Sequence, residues 1–94
     1  MLTLPIKKKW YDMIRAGKKL EEYRANTPYY AARFRKYEGE PVGIILRNGY
    51  RLDSPAILAE VVPKRRKGAK PEWGGNPEET CWVLQILAFV EVKR

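Results

Sequence analysis

The fold is decided by the stretch Ile6–Arg24, which reads I-K-K-K-W-Y-D-M-I-R-A-G-K-K-L-E-E-Y-R. In its first half, apolar side chains recur at the spacing of an amphipathic helix, and Pro5 stands where the first residue of a helix is best tolerated. The residues of the predicted buried stripe are Ile6, Trp10, Met13 and Ile14. Gly17 then predicts the left-handed stop of this helix, because glycine adopts that conformation without a steric penalty.

A strand is predicted directly after this turn, over Leu20–Ala25. Side chains alternate between the two faces of a strand, so Glu22 and Arg24 are expected on one face and their neighbours on the other. Lys19 stands at the entry to this strand. A cation, a carboxylate and a guanidinium are therefore expected together at one end of a sheet.

Outward from this stretch, the chain predicts one more helix and several strands. Leu2 and Leu4 alternate with polar neighbours as a short strand does, and Thr27-Pro28 is typical of the start of a helix that runs to about Lys36. Three later runs rich in β-branched and aromatic residues also predict strands. They are Val42–Arg47, Ile57–Val62 and Trp82–Val92.

The connections carry their own signals. Asn48-Gly49 predicts a tight hairpin turn, and Pro63 predicts the end of the strand before it. Residues 63–80 are predicted to form one long irregular loop, basic in its first half. Together these elements predict an α+β fold in a single domain over 1–94, with about five or six strands in a strongly bent sheet or small β-barrel and two short helices.

The charge balance favours a polyanionic partner. The chain has 19 Lys and Arg residues against 11 Asp and Glu residues, which gives a net charge of +8. The cations concentrate in residues 1–36 and 63–70. A solvated basic surface that serves only solubility is the alternative interpretation.

Several classes of site and location are disfavoured by composition. One cysteine, Cys81, and no histidine leave neither a disulfide nor the usual zinc ligands, so we expect no metal and no cofactor. The same composition excludes Ser-His-Asp and Cys-His catalysis. No apolar run approaches the roughly 18 residues of a membrane span, so we expect a soluble, cytoplasmic monomer.

The motif G-x-K-x-x-E-x-R, formed by Gly17, Lys19, Glu22 and Arg24, resembles the signature of the ASCH domain family, named for activating signal cointegrator homology. The likeness covers the first quarter of the chain, including the helix before the glycine. It implies a PUA-like β-barrel and binding of RNA or a nucleotide, a function inferred for that family by analogy with PUA domains.

The residues expected to bind the ligand are Lys19, Glu22, Arg24, Lys7, Arg47 and Trp73. Arg24 suits a phosphate or carboxylate, Glu22 can accept from a base amino group, and Trp73 lies where an aromatic ring can stack on a base. Each has a structural alternative: Glu22 and Arg24 can simply pair with each other, and Trp73 can pin its loop to the barrel.

Enzymatic activity is left open. Some members of the ASCH family are amidohydrolases of acylated cytidine, for which the motif lysine, a threonine three residues later and a distant glutamate are the proposed catalytic set. Here the first two positions are Lys19 and Glu22, so the hydroxyl is missing, and the sequence does not choose the glutamate among Glu60, Glu72, Glu78 and Glu79. Others are ribonucleases. The catalytic candidates are Lys19 and Glu22, with Glu22 deprotonating a 2′-hydroxyl while Lys19 and Arg24 stabilise the phosphorane.

Overall fold

A computed structural model describes residues 1–92, which form one five-stranded sheet curled into a half-barrel, with two α-helices. The elements in chain order are β1 (Thr3–Ile6), α1 (Lys8–Arg15), β2 (Glu21–Ala25), α2 (Pro28–Phe34), β3 (Val42–Asn48), β4 (Ala56–Arg66) and β5 (Cys81–Val92). Short 3-10 turns lie at Arg35–Tyr37 and Pro71–Trp73. The predicted α+β class is confirmed, and neither helix within residues 1–92 has the length and apolar character that crossing a bilayer requires.

The sheet order is β1-β3-β4-β5-β2, so β1 and β2 are its two edge strands. β1 runs parallel to β3, and every other pair of neighbours is antiparallel. Because the sheet is curled, its concave face encloses the core, to which Ile14, Phe34, Leu46 and Trp82 all contribute. Trp82 is fully buried, and its ring lies 5.8 Å from that of Phe34 in α2.

The first helix begins later than predicted. Pro5 and Ile6 belong to β1, where Pro5 lies opposite Arg47. Because β1 is an edge strand, it tolerates the missing N–H donor of Pro5. α1 therefore starts at Lys8, and its buried positions are Tyr11 and Ile14 rather than the full predicted stripe. Trp10 is only partly buried, and Tyr11 takes the core position beside Ile14.

The second helix begins as predicted. The Thr27 hydroxyl accepts a hydrogen bond from the backbone N–H of Tyr30 at 3.3 Å, and Pro28 occupies the first helical position. Helical geometry ends at Phe34, and the chain continues through a single 3-10 turn, so the prediction of a helix to about Lys36 was slightly too long for α2.

The predicted tight turn at Asn48-Gly49 is wrong, although β3 and β4 do form an antiparallel pair. Asn48 still belongs to β3, and residues 49–55 form the connection. The backbone N–H of Gly49 donates to the carbonyl of Ile6 at 3.1 Å, and that of Asn48 donates to Pro55 at 2.8 Å. Gly49 is therefore hydrogen-bonded to β1 and does not form a two-residue turn with Asn48. The loop between β3 and β4 is closed instead by the bond from Asn48 to Pro55.

Pro63 does not end its strand. β4 continues to Arg66, so the first basic residues of the predicted loop lie on a strand and the irregular segment is 67–80. Pairing of β3 with β4 stops at Val61, so Pro63 lies beyond the end of β3 and its missing donor costs no bond on that side. Pro63 remains paired with Leu84 of β5.

Candidate functional site

A cleft of about 400 Å³ lies between the two edge strands, β1 and β2, and we call it the seam cleft. Its lining residues are Pro5, Ile6, Lys7, Lys8, Trp10, Glu22, Tyr23, Arg24, Asn48, Gly49 and Tyr50. They come from β1, the start of α1, β2 and the loop after β3. One side-chain contact crosses the seam at its floor, where Arg24 Nη2 donates to the carbonyl of Pro5 at 2.9 Å.

Two members of the predicted charge cluster, Glu22 and Arg24, line the seam cleft, and the third, Lys19, contacts Glu22 from behind. Glu22 Oε1 lies 3.3 Å from Lys19 Nζ, and Glu22 Oε2 lies 2.8 Å from Arg24 Nη2. Glu22 and Arg24 share a face because they are two residues apart on β2, as the alternation predicted. Glu22 is 6% exposed, so its carboxylate is held between two cations near the bottom of the cleft.

Lys19 lies behind the cleft rather than in it. It is 1% exposed, and its ammonium donates to the backbone carbonyl of Trp73 at 2.6 Å. The rings of Trp10 and Tyr23 enclose it, with centroids 5.0 Å and 4.9 Å from Nζ. Burial lowers the pKa of Lys19, and the charge of Glu22 opposes that shift. Direct ligand contact by Lys19, as predicted, would require this enclosure to open.

Arg24 is largely committed to the fold but keeps donor capacity. Its Nη2 bonds to Pro5 and Glu22, and its Nη1 lies 3.4 Å from the Tyr30 hydroxyl. The Nε atom is buried and has no hydrogen-bond partner among residues 1–92. The pairing of Glu22 with Arg24 considered from the sequence is therefore present. The donor that remains for a ligand is the second N–H of Nη1, because the buried Nε is out of reach.

Of the other predicted residues, the structure brings one into the cleft. Lys7 lines it and makes no ion pair within residues 1–92, whereas its neighbour Lys8 pairs with Asp12 at 2.6 Å. Arg47 lies elsewhere: its guanidinium donates to the carbonyls of Leu52 and Ser54 at 2.9 Å and 3.1 Å. The predicted ligand contact by Arg47 is not favoured, because these bonds hold it against the 49–55 loop.

Trp73 also lies outside the lining of the seam cleft. Its carbonyl caps Lys19, and its half-buried ring has Lys70 Nζ 4.6 Å from the centroid. The next residue, Gly74, lies so close to Trp10 that an added Cβ would be 2.9 Å from the indole. Of the two predictions for Trp73, the pinning of the loop fits this geometry better than stacking on a ligand.

A hydrogen-bonded cluster around Glu21 and Tyr23 of β2 anchors the same loop. The Tyr23 hydroxyl donates to Glu21 Oε1 at 2.8 Å and accepts from the backbone N–H of Lys70 at 3.0 Å. Arg66 donates to Glu21 Oε2 at 2.6 Å. Burial raises the pKa of Tyr23, so its hydroxyl stays protonated. The two hydrogen bonds of that hydroxyl hold Tyr23 where it lines the seam cleft.

Sequence reasoning missed the aromatic walls of the cleft. Trp10 was assigned to the core stripe, and Tyr23 and Tyr50 were not singled out. Tyr50 is 89% exposed in the structure. Its place directly after Gly49 was the feature of the sequence that could have indicated an exposed aromatic residue in a loop. Trp10 gave no such signal, because its helical spacing from Ile6 and Ile14 is also that of a core residue.

A second depression, of about 320 Å³, lies at the other end of β1. Leu2, Phe34 and Val42 contribute apolar surface, and Arg33 and Lys36 lie on its border. It contains no carboxylate and none of the motif residues. The seam cleft alone combines cations, a carboxylate and several aromatic rings, so it is the stronger candidate site.

Comparisons with protein-family models, with curated proteins and with solved structures found no match. Function is therefore inferred from the side chains of the seam cleft. Lys7 suits an anionic group, the aromatic walls suit a planar ring, and Glu22 accepts hydrogen bonds from an amino group. The cleft volume lies within the range of about 300–1,000 Å³ that is typical of small-molecule sites.

Proposed function

We propose that this protein binds RNA or a nucleotide in the seam cleft. The proposal depends chiefly on one observation: Glu22 is fixed between two cations, and it lines a cleft to which three cationic and three aromatic residues also contribute. A nucleotide offers the matching groups, which are a phosphate, a planar base and, in cytosine, adenine and guanine, an exocyclic amino group.

Each wall of the cleft has a role in this proposal. Lys7 at the start of α1 takes the phosphate, because its ammonium makes no ion pair within the described chain. Trp10 and Tyr50 provide surfaces for stacking of the base. Glu22 accepts from the amino group of the base, and Lys19 acts from behind by holding the Glu22 carboxylate in place.

We further propose that the chain is a PUA-like domain of the ASCH type. The motif residues support this, because Lys19, Glu22 and Arg24 form one connected cluster. Gly17, with φ +74°, ends α1 in the left-handed conformation that its place in the motif requires. The curled five-stranded sheet with two helices is compatible with a small barrel of that kind.

Base selectivity tests the proposed function. We expect cytidine monophosphate to bind more tightly than uridine monophosphate by roughly tenfold, because uracil lacks the amino group that Glu22 accepts from. In Glu22→Gln this preference should disappear, and in Lys7→Ala both nucleotides should bind more weakly. Lys18→Ala is the matched control, because Lys18 is exposed and does not line the cleft.

Isothermal titration calorimetry gives these affinities, and circular dichroism checks that each variant is folded. Equal binding of the two nucleotides by the wild type, or an unchanged preference in Glu22→Gln, would contradict the assignment of Glu22. Absence of binding by nucleotides and by short RNA would overturn the proposed function.

Hydrolysis is the second candidate, and one observation favours it: Glu22 is the single acidic residue that lines the seam cleft. In a metal-independent ribonuclease, Glu22 would take the proton of a 2′-hydroxyl, whose oxygen then bonds to phosphorus as the bond to the 5′-oxygen of the next nucleotide breaks. Arg24 and Lys7 would stabilise the negative charge on the phosphoryl oxygens, and the leaving 5′-oxygen would take a proton from solvent. The wild type and Glu22→Gln should be incubated with short RNA and with acylated cytidine. Turnover that is unaffected by the substitution would reject this mechanism.

A further inference from the structure

A smaller cleft adjoins the seam cleft across β2, and we call it the loop cleft. Its volume is about 210 Å³, and Tyr23 and Arg24 line both clefts. The other lining residues of the loop cleft are Ala25, Gly74, Gly75, Asn76, Glu79 and Cys81. The two clefts therefore adjoin each other along β2, with Tyr23 and Arg24 as the residues that they share.

The loop cleft is too small to be a complete ligand site. Sites for whole small molecules have volumes of roughly 300–1,000 Å³, so this cleft has room for one part of a larger ligand. Its position beside a cleft of about 400 Å³ indicates which ligand that is. A chain molecule whose first unit occupies the seam cleft would bring its second unit to the loop cleft.

The two clefts differ in charge. Lys7 and Lys8 line the seam cleft, whereas the loop cleft has Asn76 and Glu79 on its far wall. Asn76 Oδ1 accepts from the backbone N–H of Glu78 at 3.0 Å, which leaves the carboxamide NH₂ as a donor. Glu79 makes no ion pair within residues 1–92. A donor and a carboxylate suit the edge of a base, and the carboxylate disfavours a phosphate there.

We propose that the ligand is a single-stranded oligonucleotide of at least two nucleotides, with the second base in the loop cleft, where Asn76 and Glu79 read its edge. This inference depends on the proposed function and extends it. Arg24, at the common border, lies nearest to the phosphate that joins the two nucleotides. A duplex does not fit this arrangement, because its bases are paired and their edges are not splayed into separate clefts.

Chain length gives the first test. We expect the RNA dinucleotide CpC, carrying the same 5′-phosphate as cytidine monophosphate, to bind more tightly than cytidine monophosphate by roughly tenfold, because a second base gains a stacking surface and hydrogen bonds. A DNA dinucleotide in parallel shows whether the 2′-hydroxyl contributes. Glu79→Gln should weaken binding of CpC about fivefold relative to Glu78→Gln, and should leave cytidine monophosphate unchanged. Glu78→Gln removes the same charge one position away and does not line the loop cleft.

Cys81 gives an independent readout, because it is the only cysteine and it lines the loop cleft. Burial raises the pKa of its thiol, so its reaction with a disulfide reagent should be followed at mildly alkaline pH. CpC should slow the reaction severalfold, and saturating cytidine monophosphate should leave the rate unchanged.

Equal affinity for CpC and cytidine monophosphate, or equal protection of Cys81 by both, would overturn this inference and leave the proposed function standing. If neither ligand binds, the proposed function fails and this inference fails with it.

Discussion

Lys19 donates a hydrogen bond of 2.6 Å to the backbone carbonyl of Trp73, a residue 54 positions later in the chain. This bond joins the turn before β2 to the segment 67–80, which otherwise runs without regular structure apart from one 3-10 turn. It also places the Lys19 ammonium behind Glu22, where it supports the floor of the seam cleft without lining it.

Lys19→Ala should lower the free energy of unfolding by roughly 2–4 kcal/mol, because it empties a buried space beside Trp10 and Tyr23 and leaves the Trp73 carbonyl unpaired. Urea denaturation followed by circular dichroism measures the change. Lys18→Ala is the control, since an exposed side chain should contribute less than about 0.5 kcal/mol. Equal stability of the two variants would show that Lys19 does not hold the loop.

The titration of Lys19 should be visible in the pH dependence of the free energy of unfolding. Burial lowers its pKa from 10.5; Arg24 adds to this shift, and Glu22 and Glu21 oppose it. The unfolded chain therefore binds the Lys19 proton more tightly than the native protein. Between the lowered pKa and 10.5, the unfolded state carries more protons, so this residue makes the free energy of unfolding rise with pH.

Lys19→Met provides the reference for that measurement, because it keeps a long side chain and removes the titration. The difference in unfolding free energy, wild type minus Lys19→Met, should increase from pH 7.5 toward alkaline pH. Tyr23 and Tyr11, whose pKa values are raised by burial, titrate in both proteins and cancel in the difference. A difference that stays constant or decreases would contradict the direction of the pKa shift.

Gly75→Ala should destabilise the protein by about 1–3 kcal/mol, because the new methyl group would overpack the segment that anchors the loop. An added Cβ would lie 2.4 Å from Ala69 Cβ and 2.8 Å from the Ala69 backbone, which cannot move aside cheaply. Gly43→Ala is the matched control, since its nearest neighbour is the Met1 side chain at 3.7 Å. Thermal unfolding compares the two, and a Gly75 variant as stable as the Gly43 variant would refute the packing of this loop.

Salt dependence should reveal phosphate contacts. For single strands, each neutralised phosphate contributes about −0.7 to the slope of log affinity against log salt. Lys7→Ala should make that slope less negative by about this amount for a short RNA, and Lys18→Ala should leave it unchanged. The measurement is fluorescence anisotropy at several salt concentrations. Identical slopes for the wild type and Lys7→Ala would show that Lys7 does not contact phosphate.

Local sequence rules predicted those features that depend on near neighbours. Side-chain alternation placed Glu22 and Arg24 on one face, and Thr27-Pro28 marked the start of α2, because each depends on residues within one turn or one strand. The same rules placed the first helix too early, since the parallel pairing of Pro5 with Arg47 took the start of the segment into β1.

The parts that could not be predicted depend on distant contacts. The burial of Lys19 requires Trp73, and the exclusion of Arg47 from the cleft requires the 49–55 loop to fold back on it. Strand β4 continues beyond Pro63 because its pairing with β3 ends at Val61. The sequence around Pro63 does not indicate where that pairing ends. For the site, the sequence therefore indicated which residue types were present but not which of them face the cleft.

The central claim is that a nucleotide occupies the seam cleft, and an NMR titration of the ¹⁵N-labelled protein with cytidine monophosphate tests it most directly. We predict that the largest changes in amide shift fall at residues 7–10, 22–24 and 48–50. Changes centred on the depression formed by Leu2, Phe34 and Val42, or on the basic residues 64–67, would contradict the claim.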